Sequence, residues 1–125
     1  MHKILIVDDE IDLLQVIEIF LVRRNFLVKA ISKWENIRTA IQSFEPDLIL
    51  LDISLKGADG RVICKQLKTN KETVHIPVLL FSANYGVEQT VSEFLADGFI
   101  EKPFDLSKLI SEIHSILNRY KNINS

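Results

Sequence analysis

The stretch "LILLDISL", residues 48–55, runs four apolar residues into Asp52 and resumes at once with Ile53 and Leu55. A short, continuous apolar run broken soon afterwards by Gly57 and Gly60 reads as a strand buried on both faces. Aspartate is rarely buried unless something pairs with it. A carboxylate closing such a strand therefore needs a partner, and the neighbouring segments supply candidates.

Upstream, "KILIVDD" (3–9) is a second apolar run capped by acids, followed by Leu13, Leu14, Ile17, Phe20 and Leu21 at the spacing of one helical face. "FLVKAI" (26–31) reads as a strand. Ser32 then stands three residues before Glu35 as a capping box for a helix carrying Ile37, Ala40, Ile41 and Phe44. Downstream, Val62, Ile63 and Leu67 mark a third helix. "IPVLLFSA" (76–83) is a strand that tolerates Pro77 near its start. A weakly patterned helix spans 87–95, and "GFIEK" (98–102) is a brief last strand. Asp105 caps a helix bearing Leu106, Leu109, Ile110, Ile113, Ile116 and Leu117. Strands alternating with helices imply parallel pairing through right-handed crossovers. The expected fold is a single doubly wound α/β domain over residues 1–120, with a frayed tail at 121–125.

Composition agrees. The 125 residues are 47% hydrophobic and 26% charged, as in a globular domain. No apolar run approaches the roughly 20 residues of a membrane helix. "MHKILIVDDE" becomes charged too soon for a signal peptide. The single cysteine, Cys64, cannot form an internal disulfide, which favours a cytoplasmic setting. A formal charge of −2 gives no support to direct nucleic-acid or membrane binding.

In open α/β sheets, ligands bind beyond the carboxyl ends of the strands. The first strand ends in Asp8 and Asp9, the third in Asp52, the fourth in Ser82 and the fifth in Lys102. These side chains therefore fall on one edge. Clustered carboxylates repel, so at least one should titrate high unless a cation neutralises them. Hard oxygen ligands suit Mg²⁺, and an ammionium with a hydroxyl opposite suits an anion. The set fits phosphoryl transfer onto a carboxylate, with Asp52 as nucleophile. Each residue also has a plain explanation. Asp8 and Asp9 could cap a helix, Asp52 could end a turn, and Lys102 could be solvated. Those explanations predict no common edge.

At "VDDE" (7–10), "LLDISLKGADG" (50–60), "FSA" (81–83) and "KPF" (102–104) the sequence resembles the receiver domains of two-component response regulators, in the order and spacing of that family. The resemblance spans essentially the whole chain. It implies a flavodoxin-like fold with strand order 2-1-3-4-5 and a phosphoacceptor at Asp52. Mg²⁺ would be held by the carboxylates of Asp9 and Asp52, the backbone carbonyl of Ser54 and, mainly through water, Asp8. Lys102 and Ser82 would contact the phosphoryl group, and Phe99 would be the aromatic switch. The Lys102–Pro103 bond would be cis. The donor would be a sensor histidine kinase or a histidine phosphotransfer protein. The only catalysis implied is that of the domain's own phosphorylation and autodephosphorylation. Output would pass through the face of the fourth helix, fifth strand and fifth helix to an effector protein or a second copy.

Three positions depart from the family pattern. Lys56 stands where proline is common, which predicts a looser loop after the acceptor. Leu95 replaces a frequent glycine, so the fourth helix should end irregularly or use Gly98. Phe99 replaces tyrosine and can switch by packing alone. Three rival readings are a non-phosphorylated receiver-like docking module, a phosphatase of the haloacid dehalogenase type and a flavin-binding electron carrier. The intact acids and lysine speak against the first. The second wants an aspartate where Ser54 stands, and the third has no need of clustered acids. Cys64, His2, His75, His114 and Trp34 read as packing or surface residues.

Overall fold

Apolar β-branched and leucine runs build the centre of the molecule. The computed structural model describes residues 1–83, 90–102 and 105–124. Strands Lys3–Val7 (β1), Leu27–Ile31 (β2), Leu48–Asp52 (β3), Val78–Ser82 (β4) and Gly98–Glu101 (β5) form one parallel sheet in the order β2-β1-β3-β4-β5. Helices Ile11–Arg23 (α1), Ile37–Phe44 (α2), Gly60–Lys68 (α3), Thr90–Glu93 (α4) and Leu106–Asn124 (α5) connect or follow them. Ser54–Leu55 and Ala58–Asp59 make a small antiparallel ribbon between β3 and α3. The doubly wound fold and its strand order match the expectation.

Side chains alternate across the three central strands and feed two cores. Ile4, Ile6, Leu48, Leu50, Leu79 and Phe81 face α1 and α5, meeting Leu14, Ile17, Leu21, Leu109, Ile113 and Ile116. Leu5, Val7, Ile49, Leu51, Val78 and Leu80 face α2 and α3, meeting Ile37, Ala40, Cys64 and Leu67. Burial on both faces explains why these strands lack a polar alternation. Cys64 is fully buried in the second core, and that burial pushes its thiol up to about 12.

Several local features differ from the sequence reading. No Ser32–Glu35 capping box starts the second helix. A 3₁₀ turn at Trp34–Asn36, preceded by Lys33, comes first, and α2 begins at Ile37 without a side-chain cap. That turn carries Trp34 toward the loop after β3. Asp105 does cap α5, its carboxylate accepting the Ser107 N–H at 2.8 Å. Helical backbone then continues to Asn124, through most of the segment expected to fray. Pro103, and with it the expected cis bond, lies outside the described residues.

A polar knot on the opposite edge of the sheet escaped the sequence reading. The Lys68 ammonium donates to the Tyr120 hydroxyl at 2.7 Å and pairs with Asp97 at 3.1 Å. The Tyr120 hydroxyl donates to Asp97 at 2.6 Å, and Asp97 also accepts the Val78 N–H at 2.8 Å. Burial, reinforced by Asp97, raises the Tyr120 pKa. The knot fastens α3, the start of β4 and α5 to the loop before β5.

The departure at Leu95 resolves locally. Leu95 itself adopts φ 63°, the left-handed conformation, just after α4, and Gly98 is not used for the turn. Such a backbone costs a β-carbon residue about 1–2 kcal/mol. The Leu95 side chain is 44% exposed, so little packing offsets that cost. Leu95→Gly should therefore stabilise the domain by about 0.5–1 kcal/mol after the added chain entropy of glycine. A higher urea midpoint is the expected result; a lower one overturns this account.

Candidate functional site

The carboxyl ends of β1, β3, β4 and β5 converge as the strand order requires, and the side chains that follow them share one edge. Asp8 is fully buried and Asp52 is 3% exposed. Carboxylate oxygens of Asp8, Asp9 and Asp52 all lie within 4.8 Å of one another. Ser82 is fully buried at the end of β4, and its backbone carbonyl accepts the Lys102 N–H at 2.7 Å, joining the ends of β4 and β5. The Lys102 side chain, only 14% exposed, reaches back across these ends. Its ammonium lies 3.2 Å from Asp8, 3.5 Å from Asp52 and 3.9 Å from the exposed Glu10, over the Phe81 ring.

The plain explanations fail in different ways. α1 has Glu10 at its N-cap and no side-chain cap bond, so neither Asp8 nor Asp9 caps it. Asp8 instead accepts the Glu10 N–H at 2.9 Å. Lys102 is not a solvated surface lysine. Asp52 does accept the Ser54 N–H at 3.2 Å, a local turn bond, but its second oxygen faces the ammonium.

Position at the strand end is enforced by backbone. The Ile53 N–H bonds to Phe81 across the sheet at 3.0 Å, and the Gly60 N–H returns to the Ile53 carbonyl at 2.8 Å. A Cβ at Gly60 would collide with the Asp52 carbonyl oxygen, so only glycine lets α3 start this close to the end of β3. Asp59 caps that helix, accepting the Arg61 N–H at 2.9 Å.

Electrostatics follow from burial and crowding. Asp52 is pushed from its ordinary 3.8 up to about 7, first by burial and then by Asp8; Lys102 and the Ser54 N–H pull the other way. One ammonium does not neutralise three acids. The donor set is wholly hard oxygen, which fits Mg²⁺. Ser54 lies in the ribbon directly after the acids, and Phe99 is half-buried on β5 against the second core.

The loop after Asp52 is tied on two sides at Lys56. The Lys56 N–H donates to Asp9 at 2.6 Å, and its carbonyl accepts the Trp34 indole N–H at 3.0 Å. Trp34 thus makes a specific contact as well as packing, which sequence reading missed.

A family model for the response regulator receiver domain matches residues 4–114. The chain belongs to this family. It is 31% identical over 126 residues to the DNA-binding dual master transcriptional regulator RpaA of Synechocystis sp., covering 98% of this chain and 52% of that protein. It is 30% identical over 123 residues to the heme response regulator HssR of Staphylococcus epidermidis, covering 97% and 54%. The receiver thus spans about half the length of these curated relatives. The crystal structure of a two-component response regulator from Clostridium difficile superposes with a TM-score of 0.85 at 26% identity, covering all of both chains. A CheY-like receiver from Methanospirillum hungatei shares the fold, with a TM-score of 0.88 at 21% identity over 98% of each chain. The receiver domain belongs to two-component signal transduction, and the phosphatase and electron-carrier readings fall with that assignment.

The raised Asp52 pKa has a thermodynamic consequence. Between pH 3.8 and about 7 the folded, metal-free receiver binds more protons at Asp52 than the unfolded chain does. Stability therefore declines as pH rises through this window. Asp52→Asn should be more stable than wild type at pH 8 in chelator, with the increment shrinking steadily toward pH 4. A difference in melting temperature that does not vary with pH overturns this reading.

Proposed function

We propose that the receiver takes a phosphoryl group onto Asp52 from a phosphohistidine on a sensor kinase or a histidine phosphotransfer protein. The observation that carries this is Asp52 itself, a nearly buried carboxylate between two further acids and 3.5 Å from an ammonium. An oxygen of ionised Asp52 attacks phosphorus as the phosphorus–nitrogen bond breaks. The bonding pair leaves with the imidazole nitrogen, and an acyl phosphate remains on Asp52. Water later cleaves that phosphate, restoring Asp52 and releasing inorganic phosphate.

Asp8, Asp9, Asp52 and the Ser54 carbonyl are the groups that would hold Mg²⁺. When bound, the ion would neutralise carboxylate and phosphoryl charge. Lys102 then pairs with a phosphoryl oxygen, and Ser82 donates its hydroxyl to another. The rigid β3 end holds the nucleophile still, so little ordering remains at reaction. The buried free Cys64 accords with a cytoplasmic setting.

Output follows from packing. About two added negative charges give Ser82 and Lys102 stronger partners. As Ser82 moves toward the phosphoryl group, space opens near β4, and Phe99 turns inward to fill it. The α4–β5–α5 face changes shape and binds an effector protein or a second copy.

Acetyl phosphate with Mg²⁺ should add one phosphoryl group to wild type and none to folded Asp52→Asn, read by intact mass. Equal labelling of both proteins would reject Asp52 as acceptor. In a second experiment, Phe99→Ala should leave this uptake nearly intact. Its phosphorylation-induced chemical-shift changes should stop at the Asp8, Asp9 and Asp52 loops, whereas those of wild type reach α4. Wild-type changes confined to the loops would remove the switch.

A further inference from the structure

The loop after β3 contains a peptide unit used on both sides. Lys56 and Gly57 join the two arms of the ribbon, in which Leu55 pairs with Ala58. Gly57 has φ 80°, the value that the third residue of a type II turn requires, which puts Lys56 second. In a two-residue hairpin loop the N–H of that second position is not needed by the ribbon. Here it donates to the Asp9 Oδ2 at 2.6 Å, while the Lys56 carbonyl accepts the Trp34 indole N–H at 3.0 Å. Trp34 is anchored in turn against the second core.

We propose that the Lys56 amide, steadied by Trp34, is the positioning element for Asp9 as a metal ligand. This rests on the Mg²⁺ reading of the acidic cluster. Asp9 is the least buried of the three acids and faces the like charge of Asp8 and Asp52. Left alone, its side chain would rotate away from them. A charge-assisted bond to a fixed backbone amide opposes that rotation, occupies Oδ2 and leaves Oδ1 for a cation. Partners that orient a ligand in this way typically change metal affinity 10–100-fold. Lys56 acts through its backbone, so its ammonium is dispensable. Trp34 acts one step further back, by fixing the loop that carries the amide.

The test is Mg²⁺ binding by calorimetry, without any phosphoryl donor. Lys56→Pro deletes the N–H at a turn position suited to proline, and extended Leu55 before it suits proline as well. Lys56→Ala keeps the N–H and serves as the conservative rescue. Trp34→Phe keeps a ring and deletes the indole donor. Lys56→Pro should bind Mg²⁺ about tenfold more weakly than wild type, Trp34→Phe should fall between them, and Lys56→Ala should bind at least as well as wild type. Because Trp34 is the single tryptophan, its emission should also respond to Mg²⁺ in wild type and Lys56→Ala but much less in Lys56→Pro. Wild-type affinity in Lys56→Pro overturns the proposal, as does an equal loss in Lys56→Ala. If Lys56→Pro fails to fold by circular dichroism, Trp34→Phe decides: weaker binding supports the proposal and unchanged binding overturns it. No Mg²⁺ binding by wild type would overturn the metal reading, and this inference with it.

Discussion

The Lys102 ammonium, held between Asp8 and Asp52, is the interaction on which the site depends. It comes from the end of β5 and reaches the ends of β1 and β3, so it ties three strand ends together through charge. A buried carboxylate without such a partner would carry a desolvation cost of several kcal/mol. Yet one cation cannot balance the acids around it, and Asp52 is left titrating near neutrality. The result is an edge of the sheet with an unmet demand for positive charge, next to an ammonium able to hold an anion. Folding and function pull in opposite directions at this point, as they commonly do where a site concentrates like charges.

The scaffold answers that tension with rigidity. β3 is buried from Leu48 to Asp52, and each central strand packs helices on both faces. The Asp52 backbone meets the start of α3 so closely that Gly60 admits no side chain. The ribbon after β3 is fastened by Asp9 on one side and Trp34 on the other. Away from the site, the Lys68–Asp97–Tyr120 knot secures the opposite edge, where α5 crosses the start of β4. Left-handed backbone recurs at Asn25, Glu45 and Leu95, and the last of these falls next to α4, the element that the proposed output mechanism asks to move.

The sequence by itself determined the fold class, because two-sided burial writes long apolar runs into β1, β3 and β4, and helical faces write a period of 3.6 between them. It also determined which residues gather at one edge, since a parallel sheet brings every strand's carboxyl end to the same side. Asp8, Asp9, Asp52, Ser82 and Lys102 were legible for that reason. Tertiary structure alone decided the rest. Asp9 meets Lys56 across 47 positions, Trp34 meets Lys56 across 22, and Lys68 meets Tyr120 across 52. No local pattern encodes such partners. The Ser32–Glu35 cap failed for the same reason: a local hydrogen-bond motif yielded to a 3₁₀ turn through which Trp34 both packs on the core and bonds to the loop after β3. Periodicity records which face of an element is buried, and only the folded chain records what that face meets.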